Sequence, residues 1–358
     1  MRLYCITEPQ CVKINLPLKF KMIKDPINKV QGGRRLKVAI MGAGITGAYL
    51  YRLLNRKGQR VDIFNKKPGT RCGISPCAWG TSQEFIELVN ASGLNASLYI
   101  LTPSDHVIMD GIQIKASLMT IDKQRLISDL LQGAEVSYSQ PNKVKYDRII
   151  DATGVARRFL PPIEEDIVLQ CIQFKIKTDA PRSNETKLGK IGYAWCFPLA
   201  GNTYHVGCGS LLSDPLKILK ELAWIHNVPR RDIVCGCGGT IRLTGPEHSQ
   251  PFFVAFDGYE VWGVGESIGC VAPLAGDGIV SGMKCAQILL KHWNDPSGYA
   301  KSIKKEFRWM GPERKVIDKL RNNESLRPGD AWVLRKNSRR MGMEVRLKDA
   351  AILLKHLQ

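Results

Sequence analysis

Gly42, Gly44 and Gly47 carry the sharpest chemical signal in the chain. In a Gly-x-Gly-x-x-Gly run the first glycine makes a tight turn and the second lets backbone approach a pyrophosphate. The third lets a helix pack on a strand. Ile45 and Thr46 fall at the opening of that helix, where N–H groups and the helix dipole favour a phosphate. At the end of the following apolar segment, where an acid ordinarily bonds ribose hydroxyls, stand Asn65 and Lys66. Asn65 keeps hydrogen-bonding capacity without the charge.

Two later groups have the same kind of chemistry available. Asp151-Ala152-Thr153-Gly154 ends a strand-like segment, and Gly265-Glu266 precedes Pro273, Gly276, Gly278 and Ile279. A helix beginning at Gly276 to Ile279 either offers free N–H groups to a nearby negative charge or is a glycine-rich turn capping a packing helix. Tyr193-Ala194-Trp195-Cys196-Phe197-Pro198, followed by Gly207-Cys208-Gly209, sets aromatic rings at alternate positions of a strand. None of the six histidines stands in a nucleophile context and there is no G-x-S-x-G elbow, so Ser-His-Asp hydrolysis is not expected. His205 reads as a strand residue.

Over roughly residues 36 to 293 these segments resemble the geranylgeranyl-reductase family of flavoproteins, related in fold to p-hydroxybenzoate hydroxylase. The Y-x-W-x-F-P and G-x-G segments are its most specific match. The resemblance implies FAD, with Gly42, Gly44, Ile45, Thr46, Gly47, Asn65, Lys66, Asp151 and Gly154 near the dinucleotide. It implies Gly265 and Glu266 at the ribitol chain, where the family reads Gly-Asp, and Gly276, Gly278 and Ile279 facing the flavin ring. Lys123 stands where relatives carry an arginine near the cofactor. Cys72, in a Cys-Gly turn, stands either as a proton donor at the flavin's reactive face or as a buried structural thiol. The resemblance also implies Tyr193, Trp195, Phe197, Pro198, Gly207 and Gly209 in a substrate cavity wall; the residues alone equally allow an ordinary aromatic strand in a core.

The activity implied is hydride transfer from reduced flavin to a carbon–carbon double bond of a geranylgeranyl or other isoprenoid chain, in lipid biosynthesis. Recharging needs NAD(P)H or an acidic carrier such as ferredoxin, and no second dinucleotide fingerprint is present. A flavin monooxygenase or another oxidoreductase on the same fold is the alternative. A non-catalytic lipid- or RNA-binding protein with a degenerate flavin site is another.

The elements that must hold these residues can be read from periodicity. Leu36 to Met41 is a buried strand, a helix runs to about Arg56, Gly58 stops it, and Val61 to Phe64 is the next strand. A helix over Ile121 to Leu131, strands over Tyr146 to Asp151, Ile167 to Ile176 and Thr203 to Gly207, and a helix over Gly278 to Trp293 follow. The expected fold class is α/β: a Rossmann-like FAD-binding domain (36–155 and 256–295), an inserted antiparallel β-sheet substrate domain (156–255) and a C-terminal helical segment (296–358). A basic extension (1–35) precedes them.

Of the nineteen excess positive charges, fourteen lie in residues 1–35 and 301–340. Such segments suit an acidic redox partner or anionic headgroups, or simply a solvated surface, and nucleic acid is disfavoured. No apolar run reaches membrane-spanning length, so a cytoplasmic protein with peripheral membrane contact is expected. The eleven cysteines read as free thiols, and Cys235 and Cys237 as loop thiols without a second pair to make a metal site.

Overall fold

The computed structural model describes residues 36–67, 78–179, 182–189, 192–211 and 228–357. The extension 1–35 and the Cys72-Gly73 turn lie outside them.

Strand β1 (Val38–Met41) is buried at every position, as a central strand of a parallel sheet must be. Helix α1 (Ile45–Arg56) crosses to β2 (Val61–Phe64), which pairs parallel with β1 from Val38↔Val61 to Met41↔Phe64. Gly58, at φ +73°, turns the chain between them. After β3 (Gly80–Ser82), α2 (Glu84–Ala91) and the long hairpin β4 (Ile100–Met109) and β5 (Ile112–Ile121), the chain enters α3 (Lys123–Leu130). Asp122 caps α3 by accepting the Arg125 N–H at 3.0 Å. Strands β6 (Val136–Ser137) and β7 (Arg148–Asp151) rejoin the parallel sheet, β7 beside β1.

The chain then builds β8 (Val168–Lys177), β9 (Glu185–Gly189), β10 (Gly192–Pro198), β11 (Thr203–Ser210) and β12 (Ile233–Arg242) before returning as β13 (Phe253–Phe256) and β14 (Tyr259–Gly263). The first sheet has the order β13-β14-β7-β1-β2-β6, parallel except at β13. The second has the order β12-β8-β11-β10-β9-β4-β5-β3, antiparallel except where β4 meets β9. Three strands of this second sheet, β3 to β5, thus come from within residues 36–155, where the sequence suggested only nucleotide-binding elements. The cysteines read as loop thiols, Cys235 and Cys237, lie on strand β12, two residues apart.

Helix α4 (Ile279–Lys291) packs on α1 against the first sheet, and α5 (Pro296–Glu306) follows. The basic C-terminal segment folds as α6 (Met310–Arg321), α7 (Pro328–Ser338) and α8 (Leu347–Leu357). Its apolar residues recur at three- and four-residue spacing. Val316, Leu320, Leu353, Leu354 and Leu357 pack with Val107, Ile114 and Ala116 of the β4–β5 hairpin, while Lys315 and Lys336 stay exposed and Arg314 is buried. Among the described residues no helix is long and apolar enough to cross a membrane.

Candidate active site

The carboxyl ends of β1, β2 and β7 open onto one cavity of about 750 Å³, at the point where the parallel sheet changes direction of growth. Gly42 adopts φ +111°, and a Cβ there would lie 2.2 Å from the Ala152 carbonyl oxygen. A Cβ on Gly47 would lie 1.9 Å from the Gly42 carbonyl, so α1 starts hard against the turn. Gly44 has nothing within 4 Å of where its Cβ would be and borders the cavity with Ile45 and Thr46. The first turn of α1 carries no acidic residue, so its N–H groups and dipole are left for an external anion. Asn65, Lys66 and Lys67 line the same end. These features fit the pyrophosphate and ribose of a dinucleotide.

Gly154 (φ +66°) and Glu266 also line the cavity. Glu266 has its Oε1 accepting the Arg242 N–H at 2.9 Å, and burial holds its carboxyl above the usual range despite Arg242 and Lys123. It therefore both ties β12 to the nucleotide end and presents a carboxyl to the cavity wall. The Arg242 guanidinium donates to the Glu266 and Val155 carbonyls at 2.7 and 2.6 Å and forks onto Asp166, fixing the loop around Gly154.

Asp151 corrects the expectation of a cofactor contact. It is fully buried and does not border the cavity. Its Oδ1 accepts from Thr153 N–H and O–H at 3.0 and 2.6 Å, and its Oδ2 from the N–H of Phe159 at 2.8 Å. The carboxylate shapes the loop that presents Gly154. Gly265 is likewise set back from the cavity: at φ +70° it packs on the Thr46 side chain, and its N–H meets Cys285 Sγ at 3.2 Å.

Gly276, Gly278 and Ile279 line the cavity at the start of α4. Between the two glycines, Asp277 accepts the Ile279 N–H through Oδ1 at 3.0 Å, and burial raises its carboxyl to about 6. Lys123, the first residue of α3, is buried and borders the same region. A helix contact invisible in the sequence holds this arrangement: a Cβ on Gly282 of α4 would lie 2.2 Å from Thr46 Oγ1, so the two helices meet through a missing side chain.

The aromatic segment is β10, and its period-2 alternation is complete. Tyr193, Trp195 and Phe197 face the cavity, while Ala194 and Cys196 enter a separate apolar cluster with Val206 and Cys208. Tyr193 stands opposite Gly209 and Trp195 opposite Gly207 on β11. A Cβ on Gly207 would come within 2.5 Å of the Trp195 ring, so this glycine seats the indole and does not itself border the cavity. Gly209 and Pro198 are also set back: Gly209 leaves room for Leu169 and Cys171, and the Pro198 carbonyl accepts from Thr120 Oγ1 at 2.7 Å. The indole N–H donates to Gln173 Oε1 at 3.1 Å, which satisfies its polar atom. His205 on β11 is buried with Nδ1 3.1 Å from the Ala78 carbonyl, and burial lowers it to about 4, so it is neutral.

The far wall comes from the C-terminal helices, which the sequence placed outside the site. Ile317, Leu320, Leu334, Met341 and Leu357 close the cavity there, with one acid, Glu313, among them. Glu313 accepts the Leu274 N–H at 3.1 Å and is pushed up to about 7 by burial. The sequence reading passed over Asp277, although it sits between Gly276 and Gly278 of the glycine motif, and nothing in the sequence marks Glu313 as a cavity residue.

No family model matches the chain. It is 26% identical over 339 residues to an uncharacterized protein of Methanocaldococcus jannaschii, covering 79% of this chain and 91% of that one. Among solved structures it resembles a geranylgeranyl bacteriochlorophyll reductase-like protein from Thermoplasma acidophilum, with TM-score 0.64 and 17% identity over 80% of this chain and 87% of the other. It also resembles a probable FAD-dependent monooxygenase from Pseudomonas aeruginosa, with TM-score 0.57 and 16% identity over 80% and 97% of the two chains. The fold is that of FAD-dependent oxidoreductases. The chain has the α/β architecture, the mostly antiparallel second sheet and the helical C-terminal segment expected from its sequence.

Proposed function

We propose that the chain is an FAD-dependent oxidoreductase that reduces carbon–carbon double bonds of an isoprenoid chain. One observation carries the reading: a single cavity runs from a glycine-built phosphate cradle, past the start of α4, to an aromatic and aliphatic wall. The cradle and the α1 N-terminus would hold the pyrophosphate, Asn65 the ribose, and the Gly276–Ile279 turn the ring. Bound FAD supplies hydride transfer. The chain's own contribution is to orient a long apolar substrate against Tyr193, Trp195 and Phe197, to exclude water with the C-terminal helices, and to hold exchangeable protons on Asp277 and Glu313. Cys72 remains a proton-donor candidate on the sequence resemblance alone. The electron donor in this reading is NAD(P)H or an acidic carrier such as ferredoxin drawn to the cationic helices, and peripheral membrane contact would give access to a lipid substrate.

The likeness to the Pseudomonas monooxygenase favours a second reading, oxygen-dependent hydroxylation in the same cavity. The deciding experiment is spectroscopic: purify the protein, identify the released cofactor by chromatography, reduce the flavin anaerobically and add a geranylgeranyl lipid. Stoichiometric FAD reoxidised by the lipid without oxygen is the expected result. Reoxidation that waits for oxygen moves the assignment to a monooxygenase, and no flavin after reconstitution ends both.

A further inference from the structure

We propose that Asp277 is the proton entry point of the large cavity, passing protons from bulk water through a second, polar cavity to the reacting end; this rests on the flavin reading above. Asp277 borders both spaces, the cavity of about 750 Å³ and a smaller one of about 50 Å³ behind it. The smaller cavity accommodates a few water molecules, since each needs roughly 10–15 Å³ of such space and several polar partners. Ser82, Glu84, Ser281, Lys284, Glu306 and Arg340 supply those partners. Its outer rim is an ion-pair cluster: Lys284 Nζ lies 2.6 Å from Glu84 and 3.7 Å from Glu306. The Glu84 side chain is 52% exposed and that of Glu306 44%, so the rim meets solvent.

The groups facing Asp277 come from several elements: Glu84 from α2, Lys284 from α4 and Glu306 from α5. Arg340, just after α7, completes the small-cavity side, and Glu313 of α6 lines the large one. Burial is the main cause that raises the Asp277 carboxyl to about 6, Glu84 adds to it, and Lys284 and the Ile279 N–H oppose it. A group so placed exchanges protons close to neutrality. The Ile279 N–H fixes Oδ1 at 3.0 Å, which orients the carboxyl at the start of α4.

The chemistry requires such a route. Saturating one double bond takes two electrons, from a reduced nicotinamide or an acidic redox protein, and two protons. One of them travels with the electron pair as hydride and the other comes from solvent. Once FAD and an apolar substrate fill the cavity and displace its water, that proton needs a path in. Asp277 would release its proton into the large cavity and recover another from water in the small one, ending unchanged.

The test uses the FAD-loaded protein in weak buffer with a pH-indicator dye, and follows proton uptake as anaerobic reduced methyl viologen, whose oxidation releases no proton, reduces the flavin with no substrate present. In the unaltered protein uptake tracks flavin bleaching. In Asp277→Asn it lags by tenfold or more, and Asp277→Glu or a small added weak acid restores it, which a purely capping role for Asp277 would not produce. Ser281→Val, which narrows the small cavity and leaves the carboxyl in place, slows uptake several-fold and serves if Asp277→Asn does not fold. Uptake in both variants as fast as in the unaltered protein overturns the route while leaving the flavin assignment intact. Failure of the unaltered protein to take up FAD removes that assignment and the route together.

Discussion

The two ends of the cavity are built by opposite means. At the nucleotide end the decisive features are absences of side chain: Gly42 turns where no Cβ fits, Gly47 lets α1 touch that turn, and Gly282 lets α4 meet Thr46. At the apolar end the decisive features are side chains: three aromatic rings at alternate positions of β10, and aliphatic residues from α6, α7 and α8. The first end binds through backbone N–H groups and fixed dipoles, which tolerate little displacement. The second binds through burial of area, which is non-directional and forgiving. On the proposed reading, position is set at one end and substrate choice at the other.

If that division is right, the largest effect comes from filling the backbone end. Gly47→Ala sets a methyl 1.9 Å from the Gly42 carbonyl, a contact only backbone movement relieves. A loss of about 3 kcal/mol or more is expected, at the upper range of overpacking, together with loss of FAD retention. Urea denaturation and the flavin absorbance of the purified variant check it. A variant that keeps both stability and colour would mean the cradle is not where the dinucleotide sits.

A smaller and differently distributed effect is expected at the other end. Gly207→Val meets the Trp195 ring at 2.5 Å and the Ile172 carbonyl at 2.7 Å, forcing the indole into the cavity. Overpacking of this kind costs about 1–3 kcal/mol. FAD content should be unchanged while affinity for an isoprenoid lipid, followed by quenching of tryptophan fluorescence, falls tenfold or more. Loss of flavin with lipid binding intact would invert the assignment of the two ends.

The same division explains what could be read in the sequence. Backbone requirements leave glycines at fixed spacing, so Gly42, Gly44, Gly47, Gly154, Gly276 and Gly278 were legible with the β-α-β unit around them. The Tyr193, Trp195 and Phe197 ladder was legible because strand alternation puts every second residue on one face. Asp151 was misread because a carboxylate at a strand end serves loop geometry as readily as a ligand, and only its four hydrogen bonds decide. The C-terminal wall was missed because a helix stripe of Ile317 and Leu320 looks the same whether it covers a core or closes a cavity. The hairpin β4–β5 was assigned to no sheet for a related reason: its partner β9 lies some 75 residues further on, beyond any local pattern.

Glu313 gives the finest test, because its effect depends on pH: it is a carboxyl set into the otherwise apolar wall. It is 2% exposed, and burial raises it from 4.5 to about 7 although the Leu274 N–H, Asn337 and Arg340 favour its charge. Its folded value lies above that of the unfolded chain, so the ionised form is the costly one in the fold. The unfolded chain releases this proton first as pH rises from about 4.5, and stability falls until the folded group also ionises near 7. The loss is at most about 3 kcal/mol, taking 1.36 kcal/mol for each pKa unit. Glu313→Gln keeps an oxygen for the Leu274 N–H and removes the ionisation. It should therefore exceed the unaltered protein in stability at pH 8 and lose that advantage at pH 4.5, measured as urea midpoints across that range. An advantage independent of pH would mean that Glu313 is already charged in the fold, and that the far wall is a polar surface and not a seat for an isoprenoid tail.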